Sequence, residues 1–211
     1  MKSICCIVGA GPSLPYLEEG AFVIAADGGL DKLRSLGVTP DLILGDFDSL
    51  SYHPAGEHVL TFPSEKDDTD TMLAIKEALR RGYERIYISG GLGGRLDHTV
   101  ANLQSLLFAD KLKTEAFLIG DEETAMVLSD GEVSFSADRR GWLSLFSMGD
   151  QVEGVTVSGL KYQIEGASLS NFFPLGVSNQ FMGTEATVKV EKGSLLLIWE
   201  GRQVDVTWRH E

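Results

Sequence analysis

The hydrophobic rhythm of this chain changes partway along. In the first half, short continuous apolar runs alternate with stretches whose apolar residues recur at helical spacing. Ile4 to Val8 reads as a buried strand that runs into Gly9-Ala10-Gly11-Pro12, and Phe22 to Ala26 as a second that ends on Asp27-Gly28-Gly29. Asp31 to Leu36 is expected to form a short helix, stopped by Gly37 and Pro40. A third strand, Leu42 to Leu44, leads into Gly45-Asp46-Phe47-Asp48. Asp70 to Arg81 carries Met72, Ile75 and Leu79 on one helical stripe, with Gly82 as its stop. Arg85 to Ser89 is a fourth strand, followed by a glycine-rich run and a helix with Leu96, Val100, Leu103 and Leu107 on one face. Glu115 to Ile119 is a fifth strand. Strands alternating with helices predict a mostly parallel sheet with helices on both faces.

From about Ala125 the pattern becomes β-rich, with runs at Trp142 to Phe146, Val152 to Val157, Ala186 to Val190 and Leu195 to Trp199 separated by glycine-containing turns. No amphipathic helix is legible there. The expectation is a smaller antiparallel β-sandwich domain, with residues 1–123 forming the α/β domain and residues 124–211 the β domain.

Bulk composition narrows the partners. The 211 residues are 43% hydrophobic and 23% charged, ordinary for a globular protein with a real core. The formal net charge of -13 argues against nucleic-acid backbone or an anionic membrane as a partner. It leaves room for a phosphate ligand, since a metal ion and a few local cations can reverse the field inside one pocket. The only cysteines, Cys5 and Cys6, are adjacent in a strand and point to opposite faces, so no disulfide framework follows. The apolar runs near the start and at Leu195 to Trp199 are too short for a signal peptide or a membrane span. A reduced, cytoplasmic setting is expected.

The polar residues add chemistry to this scaffold. Three predicted strands end in loops rich in glycine or aspartate: Asp27-Gly28-Gly29, Gly45 to Ser49, and Gly90 to Arg95. In an open α/β sheet such loops meet outside the carboxyl ends of the strands. Asp46 and Asp48 are one residue apart, which in extended backbone points both carboxylates the same way. Paired hard oxygens suit magnesium, which shares its octahedral shell with water and phosphate. Lys66-Asp67-Asp68-Thr69-Asp70 precedes a helix. Capping accounts for one or two of these residues; Asp70 is a further metal-ligand candidate and Lys66 a phosphate contact. In Gly90 to His98, glycines free backbone N–H groups for phosphate, Arg95 can bind it bidentately, and His98 and Asn102 share a helix face. Gly9 to Ser13 reads more simply as a turn.

Taken together, Ala26-Asp27-Gly28-Gly29, Gly45-Asp46-Phe47-Asp48-Ser49, Asp67-x-Thr69-Asp70 and Gly90 to Asn102 resemble the thiamine pyrophosphokinase (thiamine diphosphokinase) family. The likeness continues at Gly159-Leu160-Lys161-Tyr162 and Val177-Ser178-Asn179. It implies a homodimer with shared active sites that uses magnesium to convert ATP and thiamine into AMP and thiamine diphosphate. By position, Asp27, Asp46, Asp48 and Asp70 would form the acidic catalytic site, with Asp46, Asp48 and Asp70 on the metal. Lys66, Asp67, Arg95, Asp97, His98 and Asn102 would serve the nucleotide, and Ser178 and Asn179 the thiamine. Competing readings of an Asp-x-Asp after a strand are an aspartyl-phosphate phosphatase, a sugar-nucleotide site and a non-catalytic nucleotide-binding module. Leu50 stands where the first would usually carry Thr or Val.

Overall fold

The computed structural model describes residues 3–48 and 50–210. The chain divides into two compact units: the described residues through Ala109 with Thr114–Asp121, and Asp110–Lys113 with the described residues from Glu122 onward.

In the first unit the strands are β1 (Ile4–Val8), β2 (Phe22–Ala26), β3 (Leu42–Gly45), β4 (Val59–Thr61), β5 (Arg85–Ser89) and β6 (Glu115–Ile119), and the helices are α1 (Gly29–Ser35), α2 (Asp70–Arg80) and α3 (Leu96–Lys111). β1 pairs with β2 and β5, β2 with β3, β3 with β4, and β5 with β6, every pair parallel. The chain therefore winds from β1 outward through β4, then crosses back to place β5 on the other side of β1. That reversal makes the gap between β1 and β5 the crevice where a ligand is expected. Cys5, Cys6, Ile7 and Val8 are buried on both faces, which explains why β1 reads as a continuous apolar run. Leu30 and Leu33 of α1 close over Val8 and Ala25.

β4 is not legible in the sequence, because its three residues are partly buried or exposed and carry no apolar alternation. The stripe expected on α3 is rotated: Leu96 and Val100 are exposed, and the buried face runs through Asn102, Ser105, Leu106 and Ala109. Two of those four are polar, so hydrophobicity alone points to the wrong side.

The second unit is antiparallel. β7 (Glu123–Phe135) and β12 (Ala186–Glu200) form one long ladder, from Ala186 opposite Phe135 to Glu200 opposite Glu123. The two runs expected at Ala186 to Val190 and Leu195 to Trp199 are thus one strand, interrupted by a register shift between Val190 and Ser194. The first part of β12 pairs with β9 (Gln151–Ser158) and the second with β8 (Trp142–Ser147). β10 (Ile164–Ser170) adds to β9, β11 (Gly176–Gln180) to β8, and β13 (Val206–His210) to β7. β10 and β11 leave no apolar run in the sequence because each has only one fully buried residue. Phe135 packs edge-on against Trp199 at 5.5 Å and Phe181 at 5.3 Å, forming the aromatic centre of this unit. The ladders of the first unit are parallel and those of the second antiparallel, so over the described residues the pairing is mixed rather than mostly parallel.

Candidate active site

The loops that follow β1, β2, β3 and β5 gather at the carboxyl end of the parallel strands. Gly11 N donates to Gly90 O at 2.8 Å, and Gly90 N donates to Ser13 Oγ at 2.9 Å, so the loops after β1 and β5 are stitched together. A Cβ on Gly11 would lie 2.4 Å from Gly90 O, and one on Gly90 would lie 2.2 Å from Gly9 O. Only glycine permits that approach. A cavity of about 330 Å³ lies between these loops, walled by Gly9 to Gly11, Asp27, Thr69 to Thr71, the Gly90 loop, His98 and Asn102. The turn after β1, incidental on a reading of the sequence, is part of this wall. The signal that could have found it is positional: it follows the strand beside which the winding reverses.

The acidic residues arrive by an unexpected route. Asp46 and Asp48 do come together, but extended backbone is not the cause. Phe47 takes a left-handed φ of 62° and buries its ring, and Asp48 N donates to Asp46 Oδ1 at 3.3 Å. Asp27 is also left-handed, with φ 47°. Such non-glycine conformations cost about 1–3 kcal/mol each and persist only where surrounding packing enforces them. Here the buried Phe47 ring and the Asp27 N to Leu44 O bond, 2.8 Å, hold the turns in place. One carboxylate oxygen from each of Asp27, Asp46 and Asp48 lies within 4.8 Å of the others. Asp27 belongs both to this group and to the cavity wall. Ser49, the last residue of that motif, lies outside the described residues.

Asp70 is held differently. Thr69 caps α2, its Oγ1 accepting from Met72 N at 3.2 Å, which places Asp70 in the first turn and in the cavity wall. Lys66 Nζ lies 2.8 Å from Asp46 Oδ2 and 3.0 Å from Asp70 Oδ1. The Lys66 bond keeps the Asp46 carboxyl below its ordinary value. Asp70, half-buried, is pushed the other way: desolvation outweighs its lysine partner and raises its pKa. Burial pulls the Lys66 ammonium down, but its two carboxylate partners prevail and the net shift is upward. Asp68 pairs with Lys76 at 2.7 Å, and Asp67 is exposed and stands outside the cavity wall.

Of the residues after β5, Arg95 and His98 line the cavity. Asp97 does not; it pairs with Arg95 at 2.5 Å, both side chains being largely exposed. Asn102 is buried and donates to Gly91 O at 2.9 Å, so its amide holds the glycine loop in shape.

In the second unit, Ser178 is exposed and left-handed, with φ 59°. Asn179 is buried, and its amide is committed: Oδ1 accepts from Tyr162 N and Gln180 N, each at 2.9 Å, while Nδ2 donates to Tyr162 O at 2.6 Å. These bonds present Tyr162, 60% exposed, at the mouth of an apolar recess of about 360 Å³ that includes Leu145, Ile164 and Leu175.

Comparison with known proteins converges on one family. Residues 14–118 match the thiamin pyrophosphokinase catalytic domain, and residues 132–195 match the thiamin pyrophosphokinase vitamin B1 binding domain. The thiamine pyrophosphokinase of Bacillus subtilis (strain 168) is 28% identical over 210 residues, covering 94% of this chain and 98% of that protein. The Bacillus subtilis crystal structure superposes with a TM-score of 0.85 over 95% of this chain and 100% of that one, at 28% identity. The thiamin pyrophosphokinase of Geobacillus thermodenitrificans gives 0.81 over 95% and 99%, also at 28% identity. The acid group, the glycine-walled cavity and these likenesses, which extend across both units, place this chain in the thiamine pyrophosphokinase family of enzymes.

Proposed function

We propose that this enzyme transfers the terminal diphosphoryl group of ATP to the hydroxyl of thiamine, giving thiamine diphosphate and AMP, with magnesium as cofactor. The observation that carries this reading is the convergence of Asp27, Asp46 and Asp48 within 4.8 Å beside the glycine-walled cavity. Three carboxylate oxygens at that spacing are a hard donor set and fit a small divalent cation. Bound there, magnesium would offset the negative charge that develops on the phosphate oxygens.

The chain's own residues supply binding and alignment. The Gly9 and Gly90 loops, free of side chains, wall the space for the triphosphate, and Arg95 at the rim offers a planar, two-pronged phosphate contact. The thiamine oxygen forms its bond to the β-phosphorus as the bond from that phosphorus to the α–β bridging oxygen breaks. The electron pair leaves on AMP, and the hydroxyl proton passes to a base. Such transfers need little covalent help from the protein; alignment and charge neutralisation dominate. Asp70, with its raised pKa and its place in the cavity wall, suits the role of proton acceptor.

Residues 124–211 are read as a β-sandwich domain that contributes to thiamine binding and dimerisation, with Ser178 and Tyr162 facing the substrate. Exposed Phe172, Phe173 and Leu175 support a homodimer with shared active sites. Two free, buried cysteines are compatible with the reduced cytoplasm, and among the described residues no helix is long and apolar enough to cross a membrane. The deciding experiment incubates the protein with thiamine, ATP and magnesium and resolves the nucleotide products. AMP appearing with thiamine diphosphate is the expected result. ADP with thiamine monophosphate, or no turnover, would overturn it.

A further inference from the structure

Lys66 is placed unlike any other basic residue described near the cavity. Its side chain is 13% exposed, and its ammonium sits between two carboxylates from separate elements, 2.8 Å from Asp46 after β3 and 3.0 Å from Asp70 at the start of α2. Asp46 is also one of the three acids grouped to share a cation, whereas Asp70 stands outside that group. The same Asp46 carboxylate therefore serves a resident ammonium and a prospective divalent ion. We propose that Lys66 is a placeholder cation: in the nucleotide-free protein its ammonium holds Asp46 and Asp70 together and keeps divalent ions weakly bound until a triphosphate arrives.

Two physical arguments support this, and both rest on the reading of Asp27, Asp46 and Asp48 as the metal site. First, four carboxylates converging without a counter-charge would repel one another, and Lys66 relieves that repulsion without any ligand. Second, magnesium sits about 2.0–2.1 Å from its oxygen ligands. An ion on Asp46 would thus lie within a few ångströms of the ammonium, at a distance where like charges interact strongly even in a partly aqueous setting. An incoming triphosphate supplies negative charge to both cations at once. Lys66 can turn from the two carboxylates to a phosphate oxygen, and Asp46 is freed for the metal. Binding of nucleotide and metal is then coupled through one side chain.

The test uses manganese alone as the probe, counted by electron paramagnetic resonance on the full-length, nucleotide-free protein. Lys66→Gln and Lys66→Met are both expected to bind manganese at least tenfold more tightly than the unaltered protein, while Lys66→Arg, which keeps the charge, stays close to it. Circular dichroism melting checks that each variant is folded, and the two neutral variants guard against one failing to fold. Equal, measurable affinity across all four proteins would overturn the placeholder and leave the metal site standing. Weaker binding in the neutral variants would show that Lys66 merely braces the acids. Absence of manganese binding in every protein would overturn both the placeholder and the metal-site reading.

Discussion

The first unit concentrates its chemistry in backbone, the second in side-chain surface, and the two record their purposes in sequence very differently. Between β1 and β5 the walls are rich in glycine and aspartate, residues that allow close loop approach at Gly11 and Gly90 and a left-handed turn at Asp27. In the second unit the recess is lined by Leu145, Val157, Ile164 and Leu175, with Tyr162 at its mouth. Those residue types occur in any β core. A phosphate-handling site therefore leaves compact motifs, because few residues can build it, whereas an apolar recognition surface is spelled in the same letters as ordinary packing.

The sharpest way to break this contrast is to strike the acids of the first unit. Asp46→Asn and Asp48→Asn keep side-chain size and remove charge, so each is expected to lower kcat by roughly 10²–10³-fold or more. The melting temperature should change little, because Asp48 is exposed and the amide oxygen introduced at position 46 could still accept from Lys66. Steady-state kinetics at saturating magnesium, alongside thermal melts, provide the check. Near-normal kcat in either variant would mean that the left-handed turn at Phe47 builds something other than a metal site.

A smaller effect separates two neighbours in the second unit. Asn179→Ala leaves Tyr162 N, Tyr162 O and Gln180 N without the amide that joins them, and each partly buried hydrogen bond lost costs about 0.5–1.5 kcal/mol. Loss of stability by thermal or urea unfolding, accompanied by a higher KM for thiamine, is expected. Ser178→Ala removes only an exposed hydroxyl, so KM for thiamine should rise with kcat and stability nearly unchanged. If the two variants behave alike, Asn179 is not the staple that its hydrogen bonds indicate.

Much of the first unit is legible because parallel strands buried on both faces give continuous apolar runs, and because aspartate and glycine at strand ends have few other uses. The route by which the acids meet is not. Asp-x-Asp spacing suggests an extended segment, but the structure uses a buried Phe47 at positive φ, a conformation that β propensity gives no reason to expect. The α3 stripe fails for a related reason: Asn102 and Ser105 are buried through hydrogen bonds to Gly91 O and Ala101 O, so the inward face is partly polar. In the second unit, β12 reads as two strands because the register shift after Val190 brings Glu191, Lys192 and Gly193 between its apolar halves. Roles at Ser178 and Asn179 come only from family likeness. Local pattern says nothing about either residue, and it is the Tyr162 contacts that give Asn179 a structural task.

The smallest expected effect lies at the rim of the cavity and tests how far surface charge matters there. Arg95 reaches the cavity while Asp97 grips it from outside, through an Nη2 contact of 2.5 Å and an Nε contact of 3.1 Å. The neighbouring carboxylate holds Arg95 firmly protonated, but both groups are solvent-exposed, and pairs of this kind add little to folding stability. Asp97→Asn should therefore leave the melting temperature where it is. What the pair can do is fix the guanidinium in one orientation before a phosphate arrives, so that less rotamer freedom is lost on binding. On that account KM for ATP rises a few-fold in the variant while kcat holds, and added salt narrows the difference because exposed charges are screened. A fall in KM would carry the opposite meaning: Asp97 would then be a competitor that the nucleotide must displace from Arg95.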